Sequence, residues 1–326
     1  MSNKNIIIQT EIAIKFIKDT FEKKLSKKLN LIRVSAPLFV ASELGLNDDL
    51  SGASAPITFE TENINSKLEI IQSLAKWKRY ALHKYNFLEN TGLYTDMNAI
   101  RKDEVLDQTH SLYVDQWDWE LIIHENNRNL RFIKKIVRCI YSVFKESQVA
   151  INKKYPELYN DLPKNITFIS TEELTSLYPN LSPDEREYEI TKKWKTVFIY
   201  QIGWPQADGR VHSLRAADYD DWNLNGDILF WFQEINAPLE LSSMGIRVNK
   251  DSLIKQLTYK DELHKLNNKY CQGIINNILP FTIGGGIGQS RICQYFLKKI
   301  HIGEVQASVW DKDNLEFAKS KKINLL

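Results

Sequence analysis

A glycine-rich segment near the C-terminus, TIGGGIGQSR, carries the strongest local signal for chemistry. Gly284, Gly286, Gly288 and Arg291 in this segment fit the pattern GxGxGxxR. Glycines leave room for a flat or charged ligand to approach the backbone, and the following ICQYFL run predicts a helix whose N-terminus favours an anion. It is neither a P-loop nor a dinucleotide fingerprint, since no Gly-Lys-Ser/Thr follows and Gln289 replaces the third glycine. Taken alone, the segment fits an anion site and a plain strand-to-helix turn equally well.

Two further signals lie earlier in the chain. Pro37 falls in a predicted strand after the first helix, and the polar segment MNAIRKDE places Arg101 and Glu104 between two predicted strands. An arginine on such a loop can bind an oxyanion through its planar guanidinium fork. In this order, the proline-bearing strand, the Arg-x-x-Glu loop and the glycine-rich arginine segment resemble the three motifs of class II aminoacyl-tRNA synthetases.

The rest of the chain narrows the resemblance to one family, the ammonia-dependent asparagine synthetases (aspartate–ammonia ligases), which are built on the class II catalytic fold. The resemblance covers nearly the whole chain and rests on the strings DDLSG, SLAKWKR, GLYTDMNAIR, HSLYVDQWDWE, DYDDW, LNGDIL, ELSSMGIRV and TIGGGIGQSR. One departure is a very short loop between Trp222 and Leu224, where relatives carry a longer insertion. This departure leaves a lid role for the loop open and does not affect the chemistry that the resemblance implies.

The resemblance implies an ATP-dependent reaction in which aspartate and ammonia give asparagine, AMP and pyrophosphate. The β-carboxylate attacks the α-phosphorus of ATP, ammonia then displaces AMP from β-aspartyl-AMP, and Mg²⁺ accompanies the nucleotide. We expect free ammonia rather than glutamine, because a glutaminase needs a nucleophilic cysteine or a free N-terminal amine. Residue 2 is serine, and the first cysteine, Cys139, lies in a helical pattern.

The resemblance also implies which residues carry the catalytic steps. Arg101 is expected to bridge the β-carboxylate and the α-phosphate, where a cation stabilises the developing charge. Asp48 is expected to orient ammonium and accept its proton. Gln116 and Asp220 complete the expected catalytic set.

Aspartate is expected to bind through two charged residues of opposite sign. Lys78 would pair with its α-carboxylate and Asp118 with its α-ammonium group. Gln116 and Asp118 share one face of an alternating strand, as a joint pocket requires, while Trp117 and Trp119 take the other face. The other expected substrate contacts are the hydroxyl groups of Ser73, Ser242 and Ser243.

The nucleotide and its metal ion have an expected set of their own. Asp227 and Glu240 are expected to bind Mg²⁺, because carboxylates on two consecutive antiparallel strands can meet and offer oxygen ligands. Arg291 would hold the nucleotide from the side opposite Arg101, and Glu104 would contact the adenine edge. The remaining expected nucleotide contacts are Tyr219, Arg247, Gly286 and Gly288.

Hydrophobic periodicity predicts the elements that must position these residues. The strands predicted at Asp227–Phe232 and Leu239–Val248 are separated only by QEINAP, too short for a parallel crossover, so they must pair antiparallel. A polar loop is predicted before them, at Gly209–Asn225. With helices predicted at Thr10–Leu29 and near 127–154, the order of elements indicates an α+β fold. We expect an antiparallel β-sheet flanked by helices, like the class II synthetase catalytic domain, in a single domain spanning 1–326.

The composition sets limits on function and location. The 326 residues include 43 basic and 41 acidic residues, a net charge of +2, which excludes a histone-like polycation and most disordered classes. No stretch approaches the roughly 20 apolar residues of a membrane span. The three cysteines form no CxxC pair, which argues against a disulfide framework or a zinc site. We therefore expect a cytoplasmic protein without nucleic-acid or membrane partners and, from the resemblance of the Pro37 segment to the class II dimer motif, a homodimer.

Two other functions stay open at this point. One is a class II synthetase, or a truncated paralogue, that aminoacylates an RNA or a protein lysine. The balanced charge and the lack of a segment for an anticodon-binding module disfavour it. The other is a catalytically silent regulator that binds an amino acid or a nucleotide. The presence of Arg101, Arg291, Asp227, Glu240 and the glycines disfavours that alternative.

Overall fold

The computed structural model describes residues 3–50 and 54–326. The α-helices in these ranges are α1 (Asn3–Leu29), α2 (Ala75–Lys84), α3 (Leu130–Lys154), α4 (Thr171–Leu177), α5 (Pro183–Trp194), α6 (Lys250–Tyr259), α7 (Lys269–Ile275), α8 (Gln289–Phe296) and α9 (Lys312–Lys321). The strands are β1 (Leu31–Arg33), β2 (Phe39–Ala41), β3 (Thr58–Thr61), β4 (Ile64–Ile70), β5 (Gly92–Ile100), β6 (Tyr113–Ile122), β7 (Thr167–Ser170), β8 (Thr196–Tyr200), β9 (Asp220–Phe232), β10 (Ala237–Arg247) and β11 (Thr282–Gly288). None of the helices in the described ranges combines the length and the apolar character needed to cross a membrane.

Eight of the strands form a central sheet in the order β1-β5-β6-β11-β10-β9-β8-β7, and β2-β4-β3 form a small second sheet. The six central strands pair antiparallel, and β9 and β10 form the hairpin that the short QEINAP connection predicts. At the two edges, β1 pairs with β5 and β7 with β8 in parallel. The predicted α+β fold is confirmed, and its sheet is antiparallel at the centre and mixed at the edges.

Alternation along β6 sends side chains to opposite faces of this sheet. Trp117 and Trp119 are buried in a core shared with α1 and α3, where Phe21 stacks on Trp117 with ring centroids 5.1 Å apart. Full burial of a side chain such as Phe21 contributes about 1.5–3 kcal/mol. The intervening residues, Gln116 and Asp118, therefore point to the other face, as their alternation predicts.

A second core covers part of that other face. It joins Trp77 of α2, Leu253 of α6 and Tyr270 of α7 to Met97 of β5. Arg79 ties α2 to the segments that flank β10 and β11, since its guanidinium group donates hydrogen bonds to the carbonyl oxygens of Val248 (2.8 Å) and Pro280 (2.9 Å). Next to this core, the same face of the sheet carries the polar side chains of the candidate site.

The structure differs from the predicted secondary structure at two places. Pro37 lies between β1 and β2, outside either strand, and the two strands belong to different sheets. The predicted polar loop extends to Asn225, but β9 already begins at Asp220. The short loop predicted between Trp222 and Leu224 is therefore wrong, because these residues lie within a continuous strand.

Tertiary partners explain why this polar segment is a strand. Asp and Asn favour loops because their side chains compete for nearby backbone groups. In β9 those side chains have fixed partners instead: the Asn225 amide bonds to the backbone N–H and carbonyl of Ile202 at 2.8 and 2.9 Å. The Asp221 carboxylate accepts a hydrogen bond from Arg128 at 3.0 Å. Once these groups are satisfied, the backbone is free to join the sheet.

Candidate active site

A cavity of about 310 Å³ opens on the polar face of the central sheet. Strands β6, β10 and β11 form its floor, and α2, the β5–β6 connection and the segment before β9 form its walls. All site residues predicted from the sequence line this cavity, except Asp227. They are Asp48, Ser73, Lys78, Arg101, Glu104, Gln116, Asp118, Tyr219, Asp220, Glu240, Ser242, Ser243, Arg247, Gly286, Gly288 and Arg291.

The glycines of β11 leave space that the protein itself fills. A Cβ atom at Gly284 would overlap the carboxylate of Glu120, and one at Gly286 would overlap the side-chain carbonyl of Gln116. Both partners belong to β6, the strand paired with β11. The sequence predicts that these glycines admit a ligand to the backbone, but at these two positions they admit polar side chains of the neighbouring strand.

The N-terminus of α8 holds an anion that belongs to the chain. The Asp115 carboxylate accepts hydrogen bonds from the backbone N–H of Ser290 at 3.1 Å and from its hydroxyl group at 2.8 Å. Lys18 of α1 and Gln306 donate to the same carboxylate at 2.9 and 3.2 Å. The first turn of a helix favours negative charge, and Asp115 supplies it. A carboxylate of the chain itself therefore lies at the helix N-terminus where the sequence predicts an anion.

Lys78 and Asp118 form a buried ion pair on the cavity wall. Each side chain is at most 4% exposed, and the Lys78 ammonium also donates to the carbonyl oxygen of Gly285 at 2.9 Å. Burial lowers the pKa of Lys78 from its ordinary value, while Asp118 opposes that shift. The Oδ2 atom of Asp118 is buried and has no hydrogen-bond partner among the described residues. The pair thus carries both charges that an amino-acid zwitterion requires, and one free acceptor.

Two arginines of the cavity wall make no hydrogen bond to a carboxylate in the described part of the chain. Arg101 lies 3.9 Å from Glu104, beyond hydrogen-bond distance, and its buried Nε has no partner among the described residues. Arg291 donates to two carbonyl oxygens, those of Thr109 at 3.2 Å and Glu240 at 2.9 Å, and forms no ion pair with a carboxylate of the described residues. Arginines with free donors at a cavity wall are suited to bind carboxylate or phosphate oxygens.

Asp48 is a buried carboxylate at the cavity surface. It is 4% exposed, and its Oδ1 accepts a hydrogen bond from the backbone N–H of Leu50 at 3.1 Å. Burial raises the pKa of Asp48 to about 6, and Lys76 opposes that rise. Behind it, Lys76 forms a buried ion pair with Asp218, with 2.9 Å between the Nζ and Oδ2 atoms. A carboxylate with such a pKa can exchange a proton near neutral pH.

Asp227 and Glu240 lie on neighbouring strands but are not directly opposite. Asp227 pairs with Ser243 in the ladder and Glu240 with Leu229, and a bulge lies between Glu240 and Ser242. Arg215, which lines the cavity, forms an ion pair with Asp227. Burial raises the pKa of Asp227 to about 7; Arg215 opposes that rise and the Glu240 charge adds to it. The two carboxylates thus share one electrostatic environment, although only Glu240 lines the cavity.

Comparison with known proteins places the chain in a family. The family described as aspartate–ammonia ligase matches residues 8–322. The chain is 52% identical over 320 residues to an aspartate–ammonia ligase from Fusobacterium nucleatum, covering 98% of each chain. It is 53% identical over 319 residues to that from Clostridium tetani, covering 98% of this chain and 94% of the relative. The chain belongs to the aspartate–ammonia ligase family.

Solved structures of aminoacyl-tRNA synthetases share the fold of this aspartate–ammonia ligase family member. Asparaginyl-tRNA synthetase from Pyrococcus horikoshii, complexed with asparaginyl-adenylate, aligns with a TM-score of 0.66 and 16% identity, covering 93% of this chain and 70% of that one. The Entamoeba histolytica asparaginyl-tRNA synthetase complex with asparaginyl-adenylate gives 0.65 and 14%, covering 92% and 66%. The chain thus spans about two thirds of the length of these synthetases, and the likeness confirms the class II fold.

Several polar residues in and around the cavity are not predicted from the sequence. Arg215 lies in a polar loop without periodicity, and the partner of Lys76 is 142 residues away, so neither carries a local signal. Glu120 does carry one, because it extends the alternation of Gln116 and Asp118 by two residues. His110, the last of this group, lines the cavity with its Nδ1 2.9 Å from the Asp107 carboxylate.

Proposed function

We propose that this protein joins ammonia to the β-carboxylate of L-aspartate and consumes ATP, giving L-asparagine, AMP and pyrophosphate through β-aspartyl-AMP. One observation carries the proposal beyond family membership. Arg101, whose ion pair with Glu104 is 3.9 Å long, and Arg291 line the same cavity as the Lys78–Asp118 pair. A reaction between the two anions aspartate and ATP needs this arrangement, because cations must offset their repulsion while an amino acid is held in place.

Lys78 and Asp118 would bind the amino-acid end of aspartate by exchanging partners. In the structure they neutralise each other. An incoming zwitterion brings an α-carboxylate for Lys78 and an α-ammonium group for Asp118, so no buried charge is left unpaired in the complex. Ser73, Ser242 and Ser243 line the same cavity and can donate hydrogen bonds to the carboxylates of the substrate.

Arg101 would act in the adenylation step. Its free Nε–H and terminal N–H groups can bind the β-carboxylate and the α-phosphate together. Arg291 would bind phosphate oxygens from the α8 side, and Glu104 and Tyr219 would contact the nucleoside. Burial raises the pKa of Tyr219 well above 10, so its phenol stays neutral and can donate a hydrogen bond.

Asp227 and Glu240 fit a Mg²⁺ ion. Carboxylates are the oxygen donors that Mg²⁺ prefers, and one or two of them with substrate phosphates are its usual site. Oδ1 of Asp227 is the oxygen that Arg215 does not engage, and it is the atom that would serve as a ligand. When bound, Mg²⁺ would neutralise charge on the phosphates. Arg215, which is paired with Asp227, would also neutralise part of the charge on the phosphates.

Asp48 would act in amide formation. A deprotonated carboxylate at the cavity surface can hold ammonium and accept one of its protons before ammonia attacks the adenylate. Gln116 and Asp220 line the same cavity and would orient the acyl group and the incoming nitrogen. The released AMP carries away the electron pair of the broken acyl–phosphate bond.

Release of AMP tests the proposal directly. We expect the purified protein to release AMP and form asparagine only when aspartate, ATP, Mg²⁺ and ammonium are all present. Glutamine in ammonia-free buffer should not replace ammonium, and added RNA should change nothing. RNA-dependent AMP release would instead favour an aminoacylating enzyme, and binding without turnover would favour a regulator.

We further propose that the protein is a cytoplasmic homodimer. The segment around Pro37 exposes Ile32, Leu38 and Phe39, large apolar side chains that a second copy could cover. The described cysteines are all free thiols, as a reducing compartment requires. Light scattering coupled to size exclusion at micromolar concentration should give twice the 38.0 kDa chain mass. A monomer would contradict the dimer.

A further inference from the structure

One arginine connects two carboxylates beside the cavity. The Nε and Nη2 atoms of Arg247 donate to Glu120 at 2.9 and 2.7 Å, and Nη1 forms an ion pair with Oδ1 of Asp220. All three side chains are nearly inaccessible, with Glu120 at 0% and Arg247 at 1% exposure. Arg247 and Asp220 line the cavity, whereas Glu120 lies behind them. The guanidinium group therefore faces the protein's own carboxylates.

The surrounding strands are built to hold these three residues. Thr282 donates its hydroxyl hydrogen to Oε1 of Glu120 at 2.6 Å. Gly284 leaves the space that the Glu120 carboxylate occupies, and a Cβ atom at Gly245 would lie 2.6 Å from Oδ1 of Asp220. The hydrogen bond from Arg247 engages only Oδ1 of Asp220, and no hydrogen bond from another described residue reaches Oδ2. Only one oxygen of Asp220 is thus used for anchoring.

We propose that Glu120 is a positioning residue, which fixes Arg247 and through it aims the free oxygen of Asp220 at the ammonium that enters for amide formation. The inference rests on the proposed function and adds to it the residues that orient the nitrogen acceptor. Arg247 is thus a second positioning residue, and this assignment replaces the direct nucleotide contact expected from the resemblance. The bidentate Glu120–Arg247 pair restricts the guanidinium to one orientation, and Asp220 is held by the nitrogen that remains.

A double-mutant cycle between Glu120 and Asp220 tests this inference. We expect Glu120→Gln to lower kcat/KM for ammonium about tenfold and Asp220→Asn about a hundredfold, with aspartate-dependent pyrophosphate–ATP exchange within about threefold of wild type. If Glu120 acts through Asp220, the double variant should match Asp220→Asn within about threefold, because coupled residues are not additive. Glu146→Gln, at an ion-paired glutamate outside the cavity, is the matched control and should match wild type. Additive losses in the double variant would overturn the inference.

Two further measurements keep the inference testable if activity or folding fails. If Glu120→Gln does not fold, Thr282→Val can be used in its place. This variant removes one hydrogen bond to Glu120 and keeps every charge, so it should lower kcat/KM for ammonium about threefold. A crystal structure of either variant should show the Asp220 carboxylate turned from its wild-type orientation. If the Asp220 carboxylate keeps its wild-type orientation, the inference is overturned, whether or not the wild-type protein makes asparagine. A wild-type protein that makes no asparagine would by itself contradict only the proposed function.

Discussion

Gly284 faces Glu120 across the β11–β6 ladder, and the missing side chain of the one is the space in which the carboxylate of the other lies. Arg247 binds that carboxylate through two nitrogens. The glycine-rich segment therefore sets the position of a buried charge network beside the cavity. This relationship gives Gly284 a role that differs from close approach of a ligand.

Replacing Gly284 with alanine should disrupt this network. The methyl group would overlap the Glu120 carboxylate, so either the strand or the Glu120–Arg247 pair must shift. Overpacking of this kind typically costs about 1–3 kcal/mol of unfolding free energy. We expect a lower melting temperature together with loss of asparagine formation. Gly209→Ala is the control: a Cβ there meets nothing within 4 Å, and its φ of +78° strains only the local turn. Loss of activity to the same extent in both variants would contradict the role of Gly284.

Arg101→Ala and Asp48→Asn should affect different steps. Arg101 is assigned to the meeting of carboxylate and phosphate, and loss of one such donor typically costs about 2.7–4 kcal/mol, or roughly a hundred- to thousandfold in rate. Aspartate-dependent pyrophosphate–ATP exchange should therefore collapse in Arg101→Ala. In Asp48→Asn, exchange should stay within about tenfold of wild type while asparagine formation falls by roughly a hundredfold. If both activities fall together in Asp48→Asn, that residue acts in substrate binding or activation instead.

The pH dependence should also separate the two steps. Burial raises the pKa of Asp48 to about 6, with Lys76 opposing the rise, so the carboxylate is mostly protonated at pH 5 and mostly ionised at pH 7. Only the ionised form can accept a proton from ammonium. At a fixed total ammonium concentration, the rate of asparagine formation should therefore rise with pH through about 6. The rate of pyrophosphate–ATP exchange should show no such rise. The rise in the rate of asparagine formation should be absent in Asp48→Asn. If the rise persists in that variant, another group causes it.

Which features the sequence could predict depends on the range over which the signal acts. The alternation of Gln116 to Trp119 is local, so it correctly predicts two opposite faces of β6. The polar run before Asn225 also looks local, but its partners are Ile202 and Arg128, distant in the chain, and they turn a predicted loop into a strand. Arg215 could not be found for the same reason.

The glycine-rich segment shows the same limit on a smaller scale. Glycines predict that something approaches the backbone closely, which is correct. The identity of that group depends on strand pairing, and register alone brings Glu120 to Gly284. Family resemblance names many of the residues that line the cavity, although not Arg215. It does not reveal the ion pairs behind the cavity lining, such as that of Lys76 and Asp218.

The Lys78–Asp118 pair allows binding and stability to be separated. Each residue is buried, so Lys78→Met leaves the Asp118 charge unpaired and Asp118→Asn leaves the Lys78 charge unpaired. Breaking a buried pair in this way typically costs about 3–5 kcal/mol, whereas removing both charges is often nearly neutral. The double variant should therefore recover most of the thermal stability that either single variant loses.

Aspartate recognition should not recover together with the thermal stability of the double variant. The substrate zwitterion needs both charges, so the double variant should keep a KM for aspartate raised by at least about a hundredfold in the exchange assay, equivalent to about 2.7 kcal/mol. The control is the ion pair between the buried Arg186 and the partly exposed Asp208, 2.6 Å apart and outside the cavity lining. Its double variant, Arg186→Met with Asp208→Asn, should keep a wild-type KM for aspartate. If the Lys78–Asp118 double variant regains both stability and aspartate affinity, the pair holds the fold together and another part of the cavity binds the amino acid.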